Sequence, residues 1–351
     1  MSLSLPFDVL QMILDTVDDK KTLASCCLVS KTLLDIAQPL LHRSLDVTIR
    51  EHKDGEASDM AADRGEIYEA YEAFHRFLPY LRTLEEHPHL KAYVQNFNVS
   101  GSRMMTWRVF DFIHHPVTSF RESLQVLPAL RNVTLLNPLF LNEVDDVIYK
   151  LQQSGLGQPA FHLAYLQHRS IEVYGMLKGS YRSFTTDDHH LVHRASFANV
   201  FNTVASVKLQ CASDFGDSTL DTFSSIKTLE LHATTYQKWN PILRRPQPPS
   251  RRLHNSLSRS STLETVIISG SLCPALVEIL SPPPSGIVAS FPPSVSSLST
   301  NAKVSIATLV DLVRSLPLST GIRTLKIRSI EGDLRELPEE CQKRGIKLAL
   351  A

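Results

Sequence analysis

The chain has 351 residues, of which 43% are hydrophobic and 21% charged, so its composition excludes a wholly disordered protein. Its 36 basic and 36 acidic residues cancel, which argues against recruitment by nucleic acid or by an anionic membrane surface. The five cysteines follow neither a secreted disulfide spacing nor a zinc pattern, and no stretch is typical of a signal peptide or a spanning helix. We therefore expect a reduced, soluble chain in the cytoplasm or nucleus.

The first 46 residues predict three short helices. Pro6 and Asp8 suit the first turn of a helix that we expect to run to about residue 16. Asp18 or Asp19 can cap a second helix, which begins near residue 20 and whose apolar spacing continues to residue 34. Pro39 is expected to interrupt a short third helix.

These helices carry more aliphatic side chains than one small core can hide. A soluble helix needs only one apolar stripe, and three helices in about 40 residues bury too little surface to be stable alone. The apolar positions are Val9, Leu10, Ile13, Leu14 and Val17 in the first helix and Leu23, Cys26, Cys27, Leu28, Val29, Leu33 and Leu34 in the second. We therefore expect a second polypeptide to cover part of this surface; the alternative is a helical cap on a larger domain that binds nothing.

The N-terminal pattern resembles the F-box, particularly the form found in many fungal F-box proteins. The matching positions are Leu5, Pro6, Leu10, Ile13, Leu14, Leu23, Cys27, Leu28, Val29, Ser30, Lys31, Pro39, Leu40, Leu41 and Arg43. Two positions depart from the family pattern, because Leu33 stands where Trp is usual and His42 where Trp or Tyr is frequent. Since aromatic side chains often anchor interfaces, these departures bear on affinity more than on the fold.

The resemblance implies a three-helix module that docks on the adaptor Skp1 of cullin-RING ubiquitin ligases, with no cofactor and no catalysis by this chain. The residues it implies for adaptor binding are Leu5, Pro6, Leu10, Ile13, Leu14, Leu23, Leu28, Val29, Ser30, Leu33, Pro39 and Leu40. The chain would then be the substrate receptor of such a ligase and would recruit an unknown target protein. The alternative is an interaction scaffold whose degenerate F-box recruits no ligase.

Along the whole chain, the sequence predicts three parts. The F-box is assigned to residues 1–46, a connecting strand and acidic loop to residues 47–66, and a substrate-recognition domain to residues 67–351. Residues 44–49 alternate like a strand, residues 51–63 are polar and indicate an exposed loop, and residues 67–84 predict an amphipathic helix.

A pattern of three apolar positions, h-x-x-h-x-h, organises the large domain and predicts six short strands. Its six copies are Val94/Phe97/Val99, Leu130/Val133/Leu135, Val204/Val207/Leu209, Ile226/Leu229/Leu231, Leu263/Val266/Ile268 and Ile322/Leu325/Ile327. The long interval between the second and third copies leaves room for one further unit, with a strand over residues 161–166. Helix-like stretches such as residues 304–316 precede most copies, so we expect an α/β fold with a parallel sheet.

This pattern resembles a divergent leucine-rich-repeat solenoid of irregular period. The overall prediction is thus an α/β chain in which a three-helix F-box is followed by a leucine-rich-repeat-like β-α solenoid. A closed or doubly wound α/β domain is the structural alternative, and the irregular period is its main support.

Two insertions interrupt the pattern. Residues 241–261 contain Arg244, Arg245, Arg251 and Arg252 without an acidic residue, which could clamp an acidic or phosphorylated partner or could form a solvated loop. Residues 281–303 are uncharged and rich in proline and serine, and we expect a flexible excursion there.

The chain carries none of the common catalytic motifs for nucleotide binding, metalloprotease or serine-hydrolase chemistry. His189 and His193 would share a face of a helix, but no further ligand is near in sequence, so we expect surface histidines and no metal. A hydrolase hidden in the α/β region would need an ordered trio of Ser or Cys, His and Asp in a pocket.

Overall fold

The computed structural model describes residues 5–48, 83–84, 86–100, 121, 124–125, 127–137, 141–154, 159–166, 175–187, 191, 194–210, 220–233, 260–270, 291–300, 304–316, 321–328, 330–331 and 335–350. The chain divides into two compact units, residues 1–162 and 163–351. Within the described ranges no helix combines the length and apolar character needed to cross a membrane.

Three helices open the first unit, as predicted: α1 (Phe7–Asp15), α2 (Lys20–Cys27) and α3 (Lys31–Leu41). The Asp19 side chain caps α2 by accepting hydrogen bonds from the backbone N–H groups of Lys21 and Thr22. These bonds satisfy donors that the first helical turn leaves unpaired.

The boundary between α2 and α3 was predicted wrongly. Apolar positions keep helical spacing from residue 20 to residue 34, but the helix itself is interrupted at residues 28–30. Ser30 adopts an extended conformation, with φ −157° and ψ 161°, and its hydroxyl accepts a hydrogen bond from Leu33 N at 3.2 Å. This cap starts α3 at Lys31, three residues before the expected start of the third helix at about residue 34. Pro39 lies inside α3 instead of interrupting it: it removes one backbone N–H donor, and the helix continues to Leu41.

The first unit continues into a parallel sheet. Its elements are β1 (Ser44–Thr48), α4 (Pro88–Lys91), β2 (Asn96–Ser100), β3 (Asn132–Leu136) and α5 (Leu141–Gln153), and β4 (Ala160–Tyr165) lies at the division between the units. Strand β2 pairs with β1 and β3, and the register aligns Leu45, Phe97 and Val133, whose side chains are all buried. The predicted strand at residues 44–49 is therefore confirmed.

The second unit also contains a parallel sheet. Its strands are β5 (Ser183–Thr186), β6 (Ser206–Gln210), β7 (Thr228–Ala233), β8 (Thr265–Gly270), β9 (Ser297–Thr300), β11 (Thr324–Ile327) and β13 (Lys347–Leu350), in that spatial order. Strands β10 (Val304–Ser305) and β12 (Ile330–Glu331) form a separate parallel pair, and the helices are α6 (Ala198–Thr203), α7 (Ile306–Ser315) and α8 (Glu336–Lys343). The strand order follows the chain without the reversal of a doubly wound sheet, which removes that alternative for these strands.

All six strands predicted from the h-x-x-h-x-h pattern are present, and the parallel sheet is confirmed. In β6, β7, β8 and β11 the three apolar positions of each copy are at most 3% exposed. The register aligns their central residues across the sheet as Phe184, Val207, Leu229, Val266, Leu298, Leu325 and Leu348. The apolar pattern therefore marks one continuous row that is buried from Phe184 to Leu325 and partly buried at Leu348.

Three strands of the sheet, β5, β9 and β13, were not predicted. Two of them were missed because a buried threonine replaces the last apolar residue of the pattern. They are Tyr181/Phe184/Thr186 at β5 and Val295/Leu298/Thr300 at β9, with Thr186 at 0% and Thr300 at 3% exposure. The long interval thus contains two strands, β4 and β5, instead of one. Part of the proposed flexible excursion at residues 281–303 is likewise wrong, since residues 291–300 lead into and form β9.

An aromatic cluster forms part of the second unit's core. The Phe197 ring lies 5.9 Å from Tyr165, 6.2 Å from Phe184 and 5.8 Å from Phe201, measured between ring centroids. The Phe223 ring adds a T-shaped contact with Phe201 at 5.0 Å. These offset and edge-on arrangements are the favoured geometries for aromatic packing.

Several predictions lie outside the described residues. They are the loop at 51–63, the helix at 67–84 apart from its last two residues, the four arginines Arg244, Arg245, Arg251 and Arg252, and the pair His189 and His193. The helix-like stretch predicted at residues 304–316 is confirmed as α7 over Ile306–Ser315, while the first two residues of the stretch form β10.

Candidate functional site

The three N-terminal helices have a small core of their own. Leu14, Leu23, Ile36 and Ala37 are at most 6% exposed and come from all three helices. The partly buried side chains that pack on this core are Leu10, Val17, Cys26, Cys27, Leu33, Leu40 and Leu41. The core therefore uses one apolar stripe of each helix.

A second set of apolar side chains, on these helices and in the segments that flank them, remains exposed, which confirms the predicted surplus. Its members, with their exposed fractions, are Leu5 55%, Phe7 49%, Val9 39%, Met12 70%, Ile13 50%, Leu28 89% and Val29 71%. Leu28 and Val29 occupy the break between α2 and α3, where the Ser30 cap turns the chain. Such a concentration of exposed apolar side chains in one short module is typical of a protein interaction site.

The twelve residues implied for adaptor binding occupy three different environments. Leu5, Pro6, Ile13, Leu28, Val29 and Ser30 are exposed, and Leu10, Leu33, Pro39 and Leu40 are partly buried. Leu14 and Leu23 are buried in the module's own core, where they offer almost no surface to a partner. Their direct effect is on the stability of the helices.

The two departures from the F-box pattern lie at less exposed positions. Leu33 packs on the module core, and His42 is the C-cap residue of α3 and half-buried. Burial lowers the pKa of His42, and electrostatic interactions with His89 and Lys20 lower it further. His42 is therefore neutral at physiological pH.

A polar network links α2 to the first strands of the sheet. Lys20 donates hydrogen bonds to the Ser44 carbonyl oxygen at 2.9 Å and to Asp46 Oδ2 at 2.6 Å. Asn98 Nδ2 donates to the other carboxylate oxygen of Asp46 at 2.7 Å. Because α3 also runs directly into β1, the helical module is attached to the sheet by both backbone and side chains.

The Asp46 network gives a pH-dependent contribution to stability. Burial alone would raise the pKa of Asp46, but the hydrogen bonds from Lys20 and Asn98 and the charge of Lys20 outweigh it and lower the pKa. A carboxyl whose pKa is lower in the folded state stabilises the fold above its unfolded pKa, and this stabilisation is lost as pH falls through the folded value. We expect Asp46→Asn to flatten the fall in unfolding free energy below about pH 4.

Chemical denaturation at a series of pH values measures this effect. Asp35→Asn removes another exposed carboxylate, on α3, and is the matched control. Identical pH profiles for wild type and Asp46→Asn would contradict the role assigned to the network.

In strands of both units, a polar residue comes directly before the central apolar residue of the pattern, and its side chain lies on the exposed side of the sheet. In the first unit Asn96 Nδ2 donates to Ser44 Oγ at 3.2 Å, and Asn132 Nδ2 donates to Asn96 Oδ1 at 2.9 Å. In the second unit the aligned residues of β5 to β9 and β11 all carry hydroxyl groups, and only Lys347 on β13 departs from this. The residues with hydroxyl groups are Ser183, Ser206, Thr228, Thr265, Ser297 and Thr324. The full pattern is therefore h-x-[S/T/N]-h-x-h, and this polar position was the signal that could have identified β5 and β9.

One charged network lies on the exposed side of the second sheet. Lys208 on β6 pairs with Glu230 on β7 at 2.7 Å, and the Ser269 hydroxyl on β8 donates to Glu230 at 2.6 Å. His232 Nδ1 lies 2.8 Å from Ser269 Oγ. Since the single hydroxyl proton of Ser269 goes to Glu230, Nδ1 must be the donor in this contact, and Nε2 of the neutral ring is left as an acceptor.

The surroundings favour the ionised form of one titratable partner of Ser269, Glu230, and the neutral form of the other, His232. Burial alone would raise the pKa of Glu230, but hydrogen bonds from Lys208 and Ser269 and the nearby positive charges lower it overall. Burial and Lys208 lower the pKa of His232, and Glu230 opposes this only in part. Glu230 is therefore ionised and His232 neutral near pH 7.

This trio does not have the geometry of a hydrolase triad. In such a triad a ring nitrogen of His accepts the serine proton while the carboxylate orients the other ring nitrogen. Here the Glu230 carboxylate accepts a hydrogen bond directly from Ser269, and His232 donates a hydrogen bond to the Ser269 hydroxyl oxygen. Among the described residues there is also no group of three His, Cys, Asp or Glu side chains that could hold a metal ion.

Comparison with known families adds one match. Residues 2–41 match the family model for the F-box domain, and that range covers α1, α2 and α3. A search of the curated proteins finds no match to the chain. F-box domains bind Skp1 in SCF complexes, and proteins that carry them are typically non-catalytic adaptors. This chain therefore has an F-box domain at residues 2–41, followed by a mixed α/β region with a parallel sheet.

Proposed function

We propose that this chain is the substrate-receptor subunit of an SCF-type ubiquitin ligase. The F-box helices dock on a Skp1-like adaptor, and the α/β region presents its sheet to a target protein. Other subunits of the ligase carry out ubiquitin transfer, so this chain contributes binding and geometry without a cofactor, in the cytoplasm or nucleus. The observation that carries the proposal is the exposed apolar set of the F-box helices, above all Leu28 and Val29.

The target-binding part of the proposal rests on a leucine-rich-repeat-like organisation, which the recurrent strand pattern of the downstream region resembles. Two features support it: the recurrent h-x-[S/T/N]-h-x-h strands and their parallel order along the chain within each unit. Repeats of this kind stack neighbouring units and leave one side of the sheet accessible to a partner. The irregular spacing of the strands makes this a divergent example.

The exposed side chains are large enough to account for a stable complex. Full burial of a Leu or Val side chain stabilises an interface by about 1.5 to 3 kcal/mol before the entropy cost of association is subtracted. Leu28 and Val29 start from 89% and 71% exposure, so nearly all of their surface is available to a partner. Their replacement by charged residues should also leave the small module core intact.

We expect Leu28→Glu combined with Val29→Glu to weaken capture of a Skp1-like adaptor at least tenfold, because about 3 kcal/mol or more of apolar burial is lost. A pull-down with purified adaptor measures this, and circular dichroism checks that the variant is folded. Met176→Glu is the matched control, since Met176 is 57% exposed but lies outside the F-box domain. Adaptor capture that is equal in wild type and the double variant would refute the docking surface.

A non-catalytic scaffold with a degenerate F-box is the second candidate. It is favoured by Leu33, which replaces an aromatic residue of the family pattern and packs on the module core. Co-purification of a cullin with the tagged full chain separates the two functions, because only a working receptor brings the cullin with it.

A further inference from the structure

The second unit leaves three positive charges unbalanced at one end of its sheet. They belong to Lys326 on β11, Arg328 directly after β11, and Lys347 on β13, and all three residues are exposed. None of them makes an ion pair with another residue in the part of the chain that the structure describes. Alternation along β11 directs Lys326 and Arg328 to the same side as Thr324, away from the buried Leu325 and Ile327.

Another lysine, Lys208, lies in the same cross-strand row as Lys326, but its charge is neutralised by a neighbouring carboxylate. The register aligns Lys208, Glu230, Ile267, Ser299, Lys326 and Ala349 across adjacent strands. Lys208 has the carboxylate of Glu230 beside it at 2.7 Å. Lys326 instead has Ser299 on one side and Ala349 on the other, so neither cross-strand neighbour supplies a negative charge.

The spacing of the three cations suits an extended chain. Lys347 pairs with Thr324, so Lys347, Lys326 and Arg328 occupy three successive rows of the sheet. Residues two apart on a strand are separated by about 6.7 Å, and neighbouring strands by about 4.8 Å. An extended segment that runs along these strands would therefore meet one cation at every second residue. Hydroxyl donors from Ser297, Ser299 and Thr324 lie beside them.

The chemistry of this surface favours an acidic polypeptide over nucleic acid. Single-stranded nucleic acid is held by aromatic stacking in addition to positive charge. On this side of strands β5, β6, β7, β8, β9, β11 and β13 the described residues include no Phe, Tyr or Trp. Charge and hydroxyl groups without stacking surfaces match carboxylates on an extended peptide.

We infer that Lys326, Arg328 and Lys347 dock an acidic segment of the target protein, bound in an extended conformation with Asp or Glu at alternate positions. This inference rests on the proposed function in one respect, namely that the sheet of the α/β region receives the target. It adds the chemical class of the bound segment and the residues that recognise it.

The test uses the full chain and a fluorescently labelled peptide of about nine residues that alternates Glu and Ser, long enough to cross the three rows. Fluorescence anisotropy at low salt should detect binding by wild type, and added salt should weaken it. We expect the triple variant Lys326→Gln, Arg328→Gln and Lys347→Gln to bind about tenfold more weakly. The matched control, Lys21→Gln, Lys227→Gln and Lys343→Gln, removes three exposed cations elsewhere and should bind like wild type.

Three results would overturn the inference: no peptide binding by wild type, equal weakening in the two triple variants, or tighter binding of a single-stranded oligonucleotide of equal charge. Adaptor capture separates this inference from the proposed function. The triple variant at the sheet should keep adaptor capture, whereas Leu28→Glu with Val29→Glu should lose adaptor capture and keep peptide binding.

Discussion

Phe197→Ala is expected to lower the free energy of unfolding of the second unit by about 3 to 5 kcal/mol, the usual cost of removing a buried aromatic side chain. Phe197 is fully buried and contacts the rings of Tyr165, Phe184 and Phe201. Removal of the ring loses its apolar burial and leaves a cavity among these neighbours. Phe197 is also the residue directly before α6, so local collapse around the cavity would disturb this helix.

Chemical denaturation followed by circular dichroism measures this loss. The chain has two compact units and can unfold in more than one step, so the comparison is made on the transition that Phe197→Ala shifts most. Phe7→Ala is the control: Phe7 is 49% exposed, and we expect a change below about 1 kcal/mol. A loss as small as that of the control would contradict the assigned role of Phe197 in the core.

Leu23→Ala is expected to destabilise the F-box helices by about 2 to 5 kcal/mol, because Leu23 is 4% exposed and contributes to their shared core. A three-helix module of about 40 residues has little stability to lose, so we expect these helices to open locally. Adaptor binding should then fall as well, although Leu23 offers almost no surface to the adaptor. The loss of binding would be indirect.

Hydrogen exchange over residues 20–41, measured beside adaptor affinity, separates the two kinds of effect. Leu28→Ala is the comparison, since Leu28 is 89% exposed and should change adaptor affinity with little change in exchange. Leu23→Ala should instead accelerate exchange throughout α2 and α3. Weaker adaptor binding by Leu23→Ala with unchanged exchange would mean that Leu23 contacts the adaptor directly.

The strands of this protein were predictable wherever every buried position of the alternating pattern holds an apolar residue. Copies such as Val204/Val207/Leu209 and Ile226/Leu229/Leu231 alternate because successive side chains of a strand point to opposite sides. The same reasoning failed at β5 and β9, where Thr186 and Thr300 are buried in the place of an aliphatic residue. A threonine fits a buried strand because its branched side chain packs well, yet a hydrophobicity pattern counts it as polar.

The helices show the same limit. The cap at Asp19 was predictable because capping depends on residues two and three positions away. The break before α3 was missed because residues 20–34 keep helical spacing, while the Ser30 cap and the packing of Ile36 and Ala37 favour a new helix. Apolar spacing shows that a segment can be helical, but it does not show where tertiary packing divides it.

The sequence by itself determined the presence of three N-terminal helices, the apolar surplus they carry and the position of most strands, since each depends on residues within a few positions of one another. Only the tertiary structure decided which apolar residues stay exposed, with Leu28 and Val29 outside and Leu14 and Leu23 inside. It also decided which cations are paired, because Lys208 meets Glu230 across two strands while Lys326 meets Ser299 and Ala349. Such contacts join residues more than 20 positions apart, and their pairing follows from strand register, which local patterns do not encode.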